Sequence, residues 1–194
     1  MNIQKRKDLF SSPQIDIEKF LINANYRENS ELILKIPANF KVEEIILPQD
    51  DYVEEIKTMA ELYGEYARKK EFDYLSVFSS IYEAILNAHV HGNKLNSKPI
   101  LFASLSSKKS LEYIICDSSE ILPMHLKPFI SSIRNRTICA NNPISWYDFS
   151  KQEKPQENNG TGTLNIHNAM DIVKYFKSED TQGLAIYMRK NKEK

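Results

Sequence analysis

The sequence predicts a two-layer α+β domain, in which helices pack on one face of a sheet. The hydrophobic fraction of 41% and the charged fraction of 27% are typical of a globular chain. Apolar residues recur at spacings of three and four across residues 53–67, which is the pattern of an amphipathic helix. Short β-prone runs bounded by turn residues precede and follow the helical region. Together these patterns favour helices stacked on a sheet.

The chain length predicts one domain, because domains average about 150 residues. We expect an N-terminal extension at 1–29, which is polar, and a domain at 30–190. The 26 basic and 26 acidic residues balance, so no net charge attracts nucleic acid or an anionic membrane. No apolar run approaches the roughly 20 residues needed to cross a bilayer, and no signal-peptide core follows the N-terminus. We therefore expect a cytoplasmic protein.

Two β-prone runs open the domain, and two helices follow them. Glu31 to Ile36 and Val42 to Leu47 predict sheet-edge strands or a strand and turn. Asp50-Asp51 predicts the N-cap of a first helix that ends near Lys69-Lys70. A second helix is predicted from about Asp73 to His91, where Gly92-Asn93 follows as a C-terminal stop.

A hairpin and a long connection lie in the second half of the chain. Ile100 to Ser106 and Leu111 to Cys116 predict antiparallel strands. Residues 118–159 contain four prolines and no sustained period, with a short helix expected near 125–134. So long a connection inside a compact domain is typical of a lid, which is the interpretation we favour.

The last two elements predicted are a helix and a strand. The helix begins after the glycines of Gly160-Thr161-Gly162 and runs to about Val173. The final strand runs from Gly183 to Met188. Cys116 and Cys139 match neither a disulfide framework nor a zinc site.

One face of the second helix is polar at about 100° per residue: it carries Ser76, Ser79, Ser80, Glu83, Asn87 and His91. A surface helix would show the same division, but solvated faces usually carry Lys and Glu, so this stripe suits a polar pocket. Glu83 and Asn87 are four residues apart and point the same way. The amide of Asn87 could bind Mg²⁺ that also carries phosphate oxygens, and the carboxylate of Glu83 could deprotonate a nucleophile.

Two further features carry chemistry at the ends of elements. Gly160 and Gly162 precede a predicted helix, where exposed N–H groups and the helix dipole form an anion site. A plain turn is the alternative for a lone Gly-x-Gly. Asp117 ends a predicted strand, as either a turn former or a binding group.

The order of these motifs resembles that of a known family, the anti-sigma-factor serine/threonine kinases, which belong to the histidine-kinase-like or Bergerat ATPases. Their N box resembles the run Glu83-Ala84-Ile85-Leu86-Asn87-Ala88-His89-Val90-His91-Gly92-Asn93. Their second glycine box resembles the order Gly160, Gly162, Asp171, Gly183, and Asp117 stands at the place of the aspartate of their first glycine box. The resemblance spans roughly residues 31–189.

The resemblance implies a Bergerat fold, which is a two-layer α/β sandwich with a mixed, mainly antiparallel sheet and about three helices on one face. It implies ATP and Mg²⁺ as cofactors, Asn87 as the Mg²⁺ ligand and Glu83 as general base or water-positioning group. Asp117 would accept a hydrogen bond from the adenine amino group. The ATP-binding residues that it implies are Asn87, His91, Asp117, Gly160, Thr161, Gly162 and Thr163.

The implied activity is transfer of the ATP γ-phosphate to Ser or Thr of a partner protein, which is an anti-anti-sigma-type antagonist or a sigma factor. Nucleic acid and membrane are not expected as partners, and the oligomeric state, a homodimer included, stays open. The chain has Asp117-Ser118-Ser119-Glu120-Ile121 where the family has Asp-x-Gly-x-Gly, so the first-box glycines are absent, and it has Leu184 after Gly183 where the family usually has Thr. These departures favour an alternative, a catalytically degenerate protein-binding module with weak or no nucleotide binding.

A third interpretation is the catalytic domain of a histidine kinase, which would act only in trans because the chain carries no phospho-acceptor helical hairpin. Gyrase-like and chaperone-like machines would need further domains.

Overall fold

The computed structural model describes residues 33–119 and 161–192. Its elements are, in chain order, β1 (Ile33–Leu34), β2 (Lys41–Ile45), α1 (Tyr52–Lys69), α2 (Tyr74–Asn87), a π-turn (Ala88–Gly92), β3 (Ile100–Ser106), β4 (Ser110–Cys116), α3 (Gly162–Ala169), β5 (Ile172–Ser178) and β6 (Leu184–Asn191). The predicted N-terminal extension at 1–29, the short helix near 125–134, Gly160 and nearly all of the lid at 118–159 lie outside the described residues.

The six strands form one mixed sheet in the order β1-β5-β6-β4-β3-β2. Every pair is antiparallel except β1 with β5, which is parallel. The predicted hairpin of β3 and β4 is confirmed, with Ser106 opposite Leu111 next to the turn. The predicted final strand is also present, and it lies at the centre of the sheet between β5 and β4.

The helices of the described residues pack on one face of the sheet. Successive strand residues point to opposite faces, and Phe102, Tyr113 and Met188 share one buried cluster with Ile56 of α1 and Ile81 of α2. Burying each such side chain contributes about 1.5–3 kcal/mol. Within the described ranges, no helix is long and apolar enough to cross a membrane. The arrangement confirms an α+β domain with a helical layer and a sheet layer.

The opposite face of the sheet holds a second apolar cluster, which explains how the chain passes from β1 to β2. These strands lie at opposite edges of the sheet rather than side by side. Ile36 and Phe40, which belong to the segment between them, pack against Ala103 and Ile114 of the second face. The connection therefore crosses beneath the sheet. The sequence prediction of sheet-edge strands is confirmed for both runs.

The helix predicted from Gly160 to about Val173 is wrong beyond Ala169, because the chain enters β5 there. Asp171 makes this change of direction: its N–H donates to the Arg189 carbonyl at 3.0 Å, and its carboxylate accepts from the N–H of Asn191 at 2.6 Å. The β-branched and aromatic residues after Asp171 favour a strand. Asp171, the third residue of the predicted second glycine box, thus anchors β5 to β6.

The two long helices begin differently. Asp73 caps α2 as its side chain accepts from the N–H of Ser76 at 3.0 Å. Asp51 stands at the N-cap position of α1, but it adopts a left-handed conformation with φ 60°, and its side chain makes no capping bond within the described residues. The start of α1 was predicted correctly, although Asp51 does not cap it through its side chain.

Candidate functional site

The C-terminal half of α2 meets the first residue of α3 at a glycine. A β-carbon on Gly162 would lie 2.3 Å from Oε2 of Glu83 and 3.4 Å from Nδ2 of Asn87. A separation of 2.3 Å is far inside van der Waals contact, so only glycine permits this approach. The structure therefore brings together three residues that the sequence pattern assigned to one site from two separate motifs.

Glu83 is partly buried, and its carboxylate is held by an amide from α3. Burial raises the pKa of Glu83, while the hydrogen bond from Asn165 Nδ2 to Glu83 Oε1, at 3.2 Å, opposes the rise. A carboxylate whose pKa lies above its ordinary value is a better proton acceptor near neutral pH. The surroundings of Glu83 therefore suit a general base.

The N-terminus of α3 lies beside Glu83 and Asn87. Thr161 occupies the N-cap position without a side-chain capping bond among the described residues, and the first turn carries no acidic side chain. The first N–H groups of an α-helix lack partners within the helix and carry a partial positive charge. Thr161 and Thr163 are partly exposed on either side of the buried Gly162. These groups can bind an anion such as a phosphate.

Asp117 follows β4 and is buried, with 6% of its surface exposed. Its Oδ1 accepts from the N–H groups of Ser119 at 2.9 Å and Leu184 at 3.1 Å. Burial raises the pKa of Asp117, and the hydrogen bonds from Ser119 and Leu184 oppose the rise. One carboxylate oxygen is thus held by the backbone, which fixes the orientation of the other.

Two glycines make room for Asp117. A β-carbon on Gly92 would lie 2.3 Å from Asp117 Oδ2, and one on Gly183 would lie 2.1 Å from the Asp117 carbonyl oxygen. The hydroxyl of Thr181 also donates to that carbonyl. The last glycines of the N box and of the second glycine box therefore pack against the same aspartate.

A π-turn joins the Glu83 end of the site to the Asp117 end. The N–H of Asn93 donates to the carbonyl of Ala88 at 2.7 Å, which is a bond across five residues. The Asn93 side chain then accepts from the N–H of Ser118 at 2.9 Å and donates to the carbonyl of Lys98 at 2.8 Å. Asn93 thereby fixes the start of the segment after Asp117.

The histidines of the π-turn differ in burial. His91, a predicted ATP-binding residue, is partly buried, and burial lowers its pKa, so the ring is mainly neutral at pH 7. His89 is fully buried, and its ring centroid lies 4.7 Å from that of Tyr52. His89 is thus part of the packing that holds the π-turn against the start of α1.

Only part of the predicted polar stripe of α2 faces α3. Ser76 bonds to the Asp73 side chain, and the Ser79 hydroxyl donates to the Leu75 carbonyl at 2.7 Å. Ser80 is fully buried. The serines near the start of the helix are therefore used locally or packed in the core, whereas Glu83 and Asn87 contact α3.

Sequence reasoning missed Asn165, although a signal for it was present. Asn165 stands three residues after Gly162, and residues three apart lie on the same face of a helix. A side chain there can reach the same group that Gly162 contacts.

Among residues 33–119 and 161–192, no group of three or more His, Cys, Asp or Glu side chains could by itself hold a metal ion.

The chain matches no sequence model of a known protein family and no curated protein.

Proposed function

We propose that this chain binds Mg-ATP in a Bergerat-type site and acts as a cytoplasmic protein serine/threonine kinase of the anti-sigma-factor type. The observation that carries the proposal is the contact of Gly162 with Glu83 and Asn87. These residues belong to two motifs far apart in the sequence, and their resemblance to the N box and the second glycine box requires them to meet. The proposed protein partner carries the Ser or Thr acceptor and is an anti-anti-sigma-type antagonist or a sigma factor.

The residues fit Mg-ATP in their chemistry. Gly162 lets the Glu83 carboxylate lie against the start of α3, and the N–H groups of the first turn of α3 can donate to phosphate oxygens. Asn87 offers an amide oxygen to Mg²⁺, which prefers a few protein ligands together with phosphates and waters. When bound, Mg²⁺ would neutralise charge that develops on the transferring phosphoryl group.

Glu83 would accept the proton of the attacking Ser or Thr hydroxyl. Burial raises its pKa and so makes it more basic than an exposed carboxylate, while the hydrogen bond from Asn165 favours its ionised form. Asp117 would accept a hydrogen bond from the adenine amino group through Oδ2, since Oδ1 already accepts from two N–H groups.

The second candidate is a protein-binding module that has kept the fold and lost the nucleotide. One observation favours it: Ser119 stands where the related kinases carry a glycine, it is buried, and its N–H donates back to Asp117. Such a turn uses the aspartate to fold its own backbone. In this candidate Asp117 is a structural residue.

Isothermal titration calorimetry with Mg-ATP, and with ATP in excess EDTA, separates the two candidates. The kinase proposal expects binding in the range of about 1 μM to 1 mM, equivalent to about 8 to 4 kcal/mol, and weaker binding without the metal. Absence of heat and of competition at millimolar Mg-ATP would leave the binding module.

A further inference from the structure

Asn165 joins α3 to the side chain of Glu83 at the edge of the site. Its Nδ2 donates to Glu83 Oε1 at 3.2 Å, and its own N–H donates to the Thr161 carbonyl at 3.0 Å within the first turn of α3. Asn165 itself is exposed, whereas Glu83 is partly buried. The amide therefore contacts the carboxylate from the solvent side.

The two oxygens of Glu83 have different surroundings. Oε1 is bonded to Asn165, while Oε2 is the atom nearest to the space beside Gly162. The last torsion of a glutamate is broad and roughly two-fold, so a carboxylate without a partner exchanges its oxygens readily. A donor to one oxygen restrains this torsion, so that at any moment one oxygen lies at the Asn165 amide and the other lies beside Gly162.

We propose that Asn165 is a positioning residue for Glu83: its amide holds Oε1, so that Oε2 alone faces the region between Gly162 and Asn87. The amide N–H stabilises the ionised carboxylate against the desolvation that burial imposes. Asn165 therefore favours the ionised form of the carboxylate that a proton acceptor requires, while Gly162 marks where that carboxylate lies. The catalytic consequence rests on the proposed kinase function, whereas the positioning itself does not.

The direct test is titration of the Glu83 side-chain carboxyl by carbon-13 NMR in the full chain, with the signal assigned by its loss in Glu83→Gln. In Asn165→Leu we expect the titration midpoint to move to higher pH, because the donor that favours the ionised form is gone. Asn165→Asp, which also lacks a donor, should move it the same way. The matched control is Asn168→Leu, which changes another exposed asparagine of α3 and should titrate as the parent does.

An unchanged midpoint in both Asn165 variants, or an equal movement in Asn168→Leu, would overturn the proposal. Thermal melting shows that each variant is folded, and the exposed position of Asn165 makes a folded variant the expected result. The NMR titration needs no nucleotide. A shift of the Glu83 titration midpoint in a chain that does not bind Mg-ATP would therefore support the positioning role and reject the kinase function.

If the chain transfers phosphate, a second measurement probes the same residue. The acid limb of the kcat profile should move to higher pH in Asn165→Leu, and kcat at the lower pH values should fall roughly tenfold, a fraction of the 10²–10⁴-fold that general base catalysis supplies. KM for Mg-ATP should stay within about twofold, since Asn165 is not expected to bind the nucleotide. A change confined to KM would contradict the positioning role.

Discussion

A β-carbon on Gly162 would lie only 2.3 Å from Oε2 of Glu83, so the first residue of α3 and the carboxylate of α2 are in contact through a position that has no side chain. The contact makes the geometry of the candidate site depend on one residue that carries no chemical group. It also gives the proposed function a test in which no polar residue is replaced.

Gly162→Ala should weaken Mg-ATP binding about tenfold, or about 1.4 kcal/mol, because the added methyl and the Glu83 carboxylate that it displaces crowd Asn87 and the first turn of α3, the groups assigned to Mg²⁺ and phosphate. The displaced group is the end of a flexible side chain, so the fold should survive. Calorimetry measures the loss. Gly64→Ala is the control, since that glycine contacts the ring of Tyr74 in the helical pair α1 and α2. An equal loss of Mg-ATP affinity in both variants would show that the loss does not arise from the contact between Gly162 and Glu83.

Asn87→Ala should abolish the Mg²⁺ dependence of nucleotide binding, because it removes the only metal ligand that we assign to the protein. Titrations with ATP in Mg²⁺ and in EDTA should then give the same affinity. The parent, by comparison, should bind more tightly in Mg²⁺. Persistence of the parent's metal dependence in the variant would show that the cation is held elsewhere.

Glu83→Gln should bind Mg-ATP nearly as the parent does and transfer phosphate at least about a hundredfold more slowly, because the amide cannot accept the hydroxyl proton. Transfer to the partner protein from ATP labelled in the γ-phosphate measures the rate. A variant that transfers phosphate as fast as the parent would make Glu83 a structural residue.

ATP should be preferred over GTP by no more than about a hundredfold, because one hydrogen bond from the base contributes roughly 1–3 kcal/mol. Oδ2 of Asp117 is the one side-chain atom that we assign to the adenine amino group, since the side chain of Leu184 is apolar. Asp117→Asn should reduce the preference further. Competition binding with both nucleotides gives the ratio, and a preference well above a thousandfold would reveal contacts to adenine that we have not assigned.

Asp117→Asn should also alter the pH dependence of stability. Burial raises the pKa of Asp117 in the folded chain, so this group contributes most stability below its unfolded pKa of about 3.9 and loses that contribution as pH rises through the folded value. The asparagine does not ionise. The melting temperature of the variant relative to the parent should therefore rise between pH 4 and pH 7, by about 2–4 °C for each kcal/mol. A difference in melting temperature that does not change with pH would show that the pKa of Asp117 is not raised in the folded chain.

Gly183→Ala should destabilise the fold by about 1–3 kcal/mol or more, because its β-carbon would lie 2.1 Å from the Asp117 carbonyl oxygen and 2.7 Å from the Ser119 nitrogen. Both are backbone atoms held between β4 and β6. Gly64→Ala is again the control, because the Tyr74 ring beside it can move. Chemical denaturation of both variants gives the free energies, and a loss no larger at Gly183 than at Gly64 would show that the backbone adjusts.

The long helices and the β3–β4 hairpin could be predicted because each is encoded by local periodicity and turn residues. Strand β5 could not, since the turn at Asp171 depends on hydrogen bonds with Arg189 and Asn191, which are distant in sequence. The local sequence from Met170 to Val173 does not indicate those partners, so by itself it is compatible with a helix. The separation of β1 and β2 to opposite edges likewise depends on packing beneath the sheet.

In the candidate site, too, the sequence predicts some features, whereas others depend on partners that are distant in the chain. Motif order alone indicated that Glu83, Asn87 and Gly162 belong together, and the structure brings them into contact. The partners of Asp117 could not be predicted, because the donor from Leu184 is a backbone N–H whose position is set by the pairing of Cys116 with Ala185. Side-chain patterns carry no information about which backbone group will face a carboxylate.

The π-turn makes the length of the segment between α2 and β3 as important as its composition. A turn closed over five residues contains one more residue than an α-helical turn, and each helical residue rotates the downstream chain by about 100° about the helix axis. Deleting Val90 would allow an ordinary helix to continue, but it would turn Gly92 and Asn93 away from Asp117 and Ser118. The exposed side chains of residues 94–99 should therefore accept exchange, whereas the stretch as a whole should tolerate no insertion or deletion.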